Sequence, residues 1–176
     1  TVLMKIKIAP AEPLYIDSIM HVEKSCFIPE IQEEREVFLS RMGKNPFYVF
    51  MDETSGKVAG YISAEYLEKI PESASEVALN HKPSLKKTSI IYISSFALLP
   101  EYRGEGLGKE MWNCSCALFS KLPGVKTLVL LVNEEWKGAA HIYESSGFET
   151  VRVFEDFFPK TDGTRSKGIL MCKELF

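Results

Sequence analysis

The chain has 176 residues, enough for one domain with a sizeable core, and it is 45% apolar against 26% charged, the ordinary balance of a globular protein. Its 21 Lys and Arg against 24 Asp and Glu leave a formal charge of −3. That argues against a general binder of nucleic acid or of a membrane surface, because such proteins carry a basic excess. Cys26, Cys114, Cys116 and Cys172 form no C-x-x-C pair and have no His cluster beside them. Buried free thiols in a reducing compartment are therefore expected, and a metal site or disulfide framework is not. The segment Thr1 to Ile6 is too short and too charged for a signal peptide, and no apolar run approaches the ~18 residues of a membrane span. A cytoplasmic protein is expected.

Lys5 to Ile8 reads as a first strand. Pro13 to Arg41 carries helical spacing in two pieces, broken near Phe27-Ile28-Pro29, because the residue before a proline avoids the helical region. Glu33, Glu34 and Glu36 fall in the second piece and read as a solvated helix face. Phe47 to Met51 and Lys57 to Leu67 are strands joined by a turn over Asp52 to Gly56, hence a hairpin. A polar stretch of 21 residues, Lys69 to Ser89, follows. It is long for a connection, and either a substrate lid or a plain surface insertion. Pro71-Glu72 could start a short helix around Glu76-Val77-Ala78-Leu79.

Ile90 to Leu98 is rich in β-branched and aromatic residues, so it reads as a strand. Leu107 to Leu122 is helical, with Leu107, Met111, Leu118 and Leu122 on one stripe, and Pro123-Gly124 ends it. Thr127 to Val132 is a strand buried on both faces. Trp136 to Ser146 is a helix closed by Gly147, and Phe148 to Phe154 and Gly168 to Leu175 are the last strands. The order β-α-α-β-β-β-α-β-α-β-β describes an α/β or α+β domain over residues 1–176, with a mixed sheet and helices on its faces.

The chemistry concentrates in Arg103-Gly104-Glu105-Gly106-Leu107-Gly108-Lys109, a turn from strand to helix. Alternate glycines admit a ligand close to the backbone, and the first turn of a helix leaves N–H groups free for phosphate. Arg103 and Lys109 add positive charge. The spacing is G-x-G-x-G rather than the dinucleotide G-x-G-x-x-G, and no Walker G-K-S/T follows. A pyrophosphate is the natural guest; a tight structural turn is the alternative.

Arg103-x-x-Gly106-x-Gly108 resembles the pyrophosphate loop R/Q-x-x-G-x-G/A of the GNAT superfamily of acetyltransferases. Phe96-Ala97-Leu98-Leu99-Pro100 looks like that family's fourth strand. Ala139, Ala140, Tyr143 and Gly147-Phe148 resemble its A-x-x-x-Y-x-x-x-G-F segment. The resemblance implies a mostly antiparallel sheet of about seven strands with four helices, splayed between strands 4 and 5, and acetyl-CoA as co-substrate. It implies that backbone groups of Ala97, Leu98 and Leu99 hold the pantetheine arm, that Gly104 through Lys109 wrap the pyrophosphate, and that Tyr143 is the general acid for the leaving thiolate. A homodimer is compatible with it. The tail, with Asp156-Phe157-Phe158-Pro159 and Thr161-Asp162-Gly163, is similar to that of ribosomal-protein and other N-terminal acetyltransferases.

Two departures accompany the match. Trp136 stands where the family often has a cofactor-contacting Asn; Asn133, three residues earlier, either takes over that contact or caps the helix. Leu131 stands where the ribosomal-protein enzymes carry a glutamate base, and Ser95 where some polyamine enzymes carry one. Glu65, Ser94 through a water, His81 and Asp156 remain as candidate bases, or no base is needed. An α-amine with a pKa near ~7.8 is about one-seventh free base at pH 7, while a lysine-like amine near ~10.4 is free to less than about a thousandth. The expected activity is acetyl transfer to a small-molecule primary amine; a peptide N-terminus is the alternative acceptor, and a non-catalytic acyl-CoA-binding module is a third reading.

Overall fold

A computed structural model describes residues 5–78, 81 and 84–175. Among the described residues, seven strands and four α-helices follow in the order β1 (Ile6–Pro10), α1 (Ile16–Cys26), α2 (Arg35–Arg41), β2 (Phe47–Asp52), β3 (Val58–Leu67), β4 (Ile90–Leu98), α3 (Leu107–Ser120), β5 (Thr127–Asn133), α4 (Lys137–Ser145), β6 (Glu149–Pro159) and β7 (Arg165–Glu174). The strands form one sheet in the order β1-β2-β3-β4-β5-β7-β6. Every neighbouring pair is antiparallel except β4 with β5.

Side-chain alternation sorts the helices onto two faces. On one face Tyr61 of β3 meets Phe38 of α2 at 5.4 Å between ring centroids. On the other, Phe96 of β4 meets Trp112 of α3 at 5.3 Å, and Tyr48 of β2 meets Phe119 of α3 at 6.1 Å. So α1 and α2 share the first face, and α3 and α4 the second.

The parallel pairing of β4 and β5 covers only Ile90 to Ile93 against Thr127 to Leu130. Beyond it the strands part, leaving Ser94 to Leu98 without a β5 partner. A bulge occurs at the same place: β3 pairs Ser63 with Ser95 and Ala64 with Ile93, so Ser94 is the extra residue. Bulges bend a strand and increase its twist, which helps β4 to turn away. On its other side β4 is pressed close to β3. A Cβ on Gly60 would lie 2.2 Å from the Ala97 carbonyl oxygen, so this position tolerates only glycine.

Several local expectations need correction. The second helix starts at Arg35, after a one-turn 3-10 helix at Pro29–Ile31, so Glu33 and Glu34 lie outside it. Glu33 is no solvated side chain; it turns inward, 3.5 Å from buried Arg41. On α3 the buried residues are Leu107, Met111, Trp112, Ser115, Cys116 and Phe119, whereas Leu118 and Leu122 are half-buried; Trp112 and Phe119 pull the stripe round toward the sheet. Strand β6 runs on to Pro159, past a register shift between Phe154 and Phe158. Cys114 is exposed and Cys26 half-buried, so only Cys116 and Cys172 are buried thiols.

The β3–β4 connection forms one 3-10 turn, Ala74–Glu76, in place of the expected short helix, whose Leu79 lies outside the described residues. Val77 is buried with Leu67, Tyr92, Val129 and Leu170, on the same face as α1 and α2. No helix among the described residues is long and apolar enough to cross a membrane.

Candidate active site

Where β4 and β5 part, a cavity of about 880 Å³ runs through the sheet. On the α3 side it is lined by Gly108, Trp112, Ala139, Ile142 and Tyr143. On the α1 side its walls are Glu23, Phe27, Glu33, Arg41, the connection residues Ala74, Ser75, Val77, Ala78 and His81, and Asp156 to Pro159 of β6. Ser94, Ser95 and Phe96 line it from the open edge of β4. They are half-buried between fully buried neighbours on either side.

The loop leading into α3 has three successive left-handed residues, with φ of +92° at Gly104, +54° at Glu105 and +79° at Gly106. Successive backbone groups in such conformations aim their N–H bonds into one concavity, a ready anion site. Among the described residues the N–H groups of Glu105, Gly106, Gly108 and Lys109 meet no acceptor, while Leu107 N–H reaches the Gly104 carbonyl and Glu110 N–H that of Gly106. Nothing lies within 4 Å of where a Cβ on Gly104 or Gly106 would sit. The glycines are thus demanded by φ, not by crowding, and the cradle has the free donors and open space that a pyrophosphate needs.

Arg103 is less of a phosphate ligand than its position suggests. Its Nε donates to the Leu98 carbonyl at 3.0 Å and its guanidinium reaches Cys26 Sγ at 3.3 Å. It ties the loop back to β4 and α1. The Cys26 thiol also donates to the Leu98 carbonyl, at 3.2 Å.

The backbone of β4 corrects a second expectation. Leu99 N–H donates to the Ala59 carbonyl at 2.8 Å. Alternation along an antiparallel ladder then turns the backbone groups of Ala97 toward β3 as well. Of Ala97, Leu98 and Leu99, only Leu98 faces the open side, and the residue that shares its orientation is Phe96. Asn133 is likewise engaged elsewhere. Its Oδ1 accepts from Glu135 N–H at 3.0 Å and from Ser166 Oγ at 2.8 Å. It shapes the turn into α4 and borders a separate, smaller cavity. Trp136 lines the main cavity instead, packed between Phe27 and Phe158 at 6.1 and 5.3 Å.

Tyr143 is fixed by the residues around it. Gly147 and Phe148 close α4 in a Schellman arrangement, with Phe148 N–H bonded to the Tyr143 carbonyl at 3.1 Å. Ser146 Oγ donates to the same carbonyl at 2.8 Å and accepts from the Trp112 indole N–H at 2.9 Å. Burial pushes the Tyr143 phenol well above its usual range, and nearby Cys116 adds to the effect. The hydroxyl therefore keeps its proton at neutral pH.

The candidate bases fare unequally. Glu65 and His81 come together, with Oε1 2.6 Å from Nε2. His81 Nδ1 lies 2.9 Å from the Ala78 carbonyl, which only accepts. Nδ1 therefore carries a proton, while Nε2 and the Glu65 oxygens, close as they are, form no well-aligned hydrogen bond. Both side chains are buried, so their close approach clasps the connection to β3. Ser94 Oγ donates to the Ser63 carbonyl at 3.1 Å. Asp156, at φ +50°, is exposed at the rim.

Sequence reasoning did not single out Glu23 and Tyr61. Tyr61 donates its hydroxyl proton to Glu23 Oε1, and its oxygen lies 2.6 Å from Ser95 Oγ. Glu23 Oε2 accepts Glu33 N–H at 2.8 Å. A readable signal existed: Glu23 shares the inward stripe of α1 with Ile19, Val22 and Cys26, where a carboxylate has no reason to be unless partnered.

The model of the acetyltransferase (GNAT) family matches residues 16–148. The chain belongs to the GNAT acetyltransferase family. The ribosomal protein bS18-alanine N-acetyltransferase of Haemophilus influenzae is 35% identical over 78 residues, which are 44% of this chain and 52% of that protein. The match thus spans about half the length of that relative. Among solved structures, the ribosomal-protein-S18-alanine N-acetyltransferase of Escherichia coli superposes with a TM-score of 0.74 at 21% identity, over 97% of this chain and 94% of the other. Arabidopsis thaliana NAA60 in complex with acetyl-CoA does so with 0.76 at 20% identity, over 97% and 99%. At such identities these two likenesses speak for the GNAT fold. Among the described residues no group of three or more His, Cys, Asp or Glu could hold a metal ion.

Proposed function

We propose that this protein transfers the acetyl group of acetyl-CoA directly to the primary amine of a small molecule. The GNAT loop, with its unpartnered N–H groups, would take the pyrophosphate, and the open edge at Phe96 and the Leu98 N–H the pantetheine arm, the Leu98 carbonyl being held by Arg103 and Cys26. That arm leads the thioester to the parting of β4 and β5, beside Tyr143. The amine attacks the carbonyl, and Tyr143 supplies a hydrogen bond and then a proton to the departing thiolate. The raised phenol keeps its proton until negative charge develops on the leaving sulfur.

The observation that supports a small acceptor is the wall on the α1 side. Ala74, Ser75, Val77, Ala78 and His81 of the β3–β4 connection wall the cavity together with α1, α2 and β6, which narrows the space in which a peptide would have to lie. A peptide N-terminus is the second reading, favoured by the alanine N-acetyltransferases that this chain resembles. Thiol release from acetyl-CoA, measured with a panel of alkyl and aryl amines beside peptides beginning with alanine, separates the two. Faster release with peptides overturns the small-molecule reading. Tight acetyl-CoA binding with no release for any acceptor would instead indicate a non-catalytic acyl-CoA-binding module.

A further inference from the structure

We propose that Ser95, Tyr61 and Glu23 form a proton relay that carries the ammonium proton of the acceptor from the open edge of β4 to the buried Glu23 carboxylate on the α1 wall of the cavity. The proposal rests on the acetyl-transfer reading, since only a neutral amine attacks a thioester. It also accounts for how a site without a glutamate on the open part of β4 or β5 could activate a strongly basic amine.

The chain of contacts is continuous and has a direction. Glu23 is 2% exposed, and its two oxygens are held by Tyr61 and by Glu33 N–H. An ionised carboxylate only accepts, so the Tyr61 proton must point to it. The Tyr61 oxygen is then left to accept, and Ser95, 2.6 Å away, must donate. The lone pairs of Ser95 Oγ are left for a donor in the cavity that Ser95 lines. An ammonium N–H meets that requirement; a carboxylate or a carbonyl does not.

The step balances. The acceptor N–H bond breaks and its proton bonds to Ser95 Oγ, the Ser95 proton passes to Tyr61, and the Tyr61 proton bonds to Glu23 Oε1. The amine is left with its lone pair, Ser95 and Tyr61 end neutral as they began, and Glu23 becomes a carboxylic acid until solvent takes the proton back. The carboxylate is tuned for the task. Burial raises the Glu23 pKa above the usual range, against the hydrogen bonds from Glu33 N–H and Tyr61, which brings it nearer the operating pH. Burial and the charge of Glu23 hold Tyr61 far above its usual range, so no phenolate interrupts the relay. Glu33 and Arg41 act on Glu23 from the α2 side with opposite signs, and Cys26 adjoins it on α1.

Glu65 with His81 is the rival, but Glu65 does not line the cavity, and His81 has its Nδ1 held by the Ala78 carbonyl and its Nε2 turned to Glu65. The test is the pH profile of kcat/KM for the preferred amine in wild type and Ser95→Ala. Ser95 is half-buried, so the loss of one oxygen leaves the core intact. The expected result is a loss of about 10²-fold near pH 7 that shrinks as pH rises toward the amine's own pKa. Ser95→Thr restores the rate, and Tyr61→Phe repeats the pH-dependent loss. Acetyl-CoA affinity, read by calorimetry, stays unchanged. An unchanged Ser95→Ala profile, or a loss of equal size at every pH, overturns the relay while acetyl transfer stands. Wild-type protein that binds acetyl-CoA but acetylates no amine or peptide overturns the transfer reading, and the relay with it.

Discussion

The rings of Trp112 and Tyr143 lie 4.5 Å apart, centroid to centroid, at an interplanar angle of 48°. Trp112 is fully buried and is anchored through its indole N–H to Ser146, which in turn holds the Tyr143 carbonyl. One aromatic side chain of α3 therefore fixes both ring and backbone of the proposed acid on α4. Tyr143→Phe keeps that packing and removes only the hydroxyl. The expected outcome is a fall in kcat of about 10²-fold with acetyl-CoA affinity unchanged, measured by steady-state thiol release and by calorimetry. Full activity in the variant would remove Tyr143 from the acid role.

The loop makes a sharper demand on backbone than on space. Gly106 has φ +79° with no atom near its Cβ position, whereas Gly108 lies at ordinary contact distances, 3.7 Å from Leu98 Cδ1 and 3.9 Å from Ile142 Cδ1. Holding a residue with a side chain in the left-handed region costs about 1–3 kcal/mol, and relief of that strain turns N–H groups out of the cradle. Gly106→Ala should weaken acetyl-CoA binding by about tenfold or more, while Gly108→Ala should leave it close to wild type. Titration of both variants with acetyl-CoA checks the contrast.

Much of this was legible in the sequence because the signals are local. The order of elements, the loop at Gly104 to Gly108 and the segment from Ala139 to Phe148 are set by spacing within a few residues of one another. The Glu23–Tyr61–Ser95 chain was not legible, since its partners lie 38 and 34 residues apart and meet only through the register of β3 on β4 and the placement of α1. The orientation of Ala97 and Leu99 failed for a related reason. Which backbone groups of a strand face outward depends on its neighbour's register, and the amino-acid pattern does not record it. Asn133 neither faces the cofactor loop nor caps α4; its side-chain oxygen instead accepts Glu135 N–H and Ser166 Oγ in the turn before the helix.

Gly60 tests the parting of the strands from the opposite side. Its missing Cβ lets β3 approach Ala97, with Leu98 Cδ2 at 2.9 Å from the same position. The 2.2 Å contact is with backbone, so no rotamer change can relieve it. Gly60→Ala should cost more than about 3 kcal/mol of stability and shift the open edge of β4. Urea unfolding measures the first, and acetyl-CoA titration of the folded fraction the second.

The clasp between His81 and Glu65 makes a pH-dependent prediction whose sign can be worked out. Burial alone would lower the His81 pKa; the adjacent Glu65 carboxylate, with the Ala78 carbonyl, outweighs it and the opposing Arg41, so the net shift is upward. A histidine raised in the folded state contributes stability that is complete below its unfolded pKa, about 6.5, and lost as pH rises through the folded value. His81→Gln should therefore destabilise the protein most near about pH 6 and progressively less above neutrality. Because Ala78 and His81 wall the cavity, the KM of the amine in wild type should rise through the same window. Urea unfolding of wild type and variant at a series of pH values measures the first effect; a stability difference that grows with pH would mean that Glu65 does not hold a cationic His81.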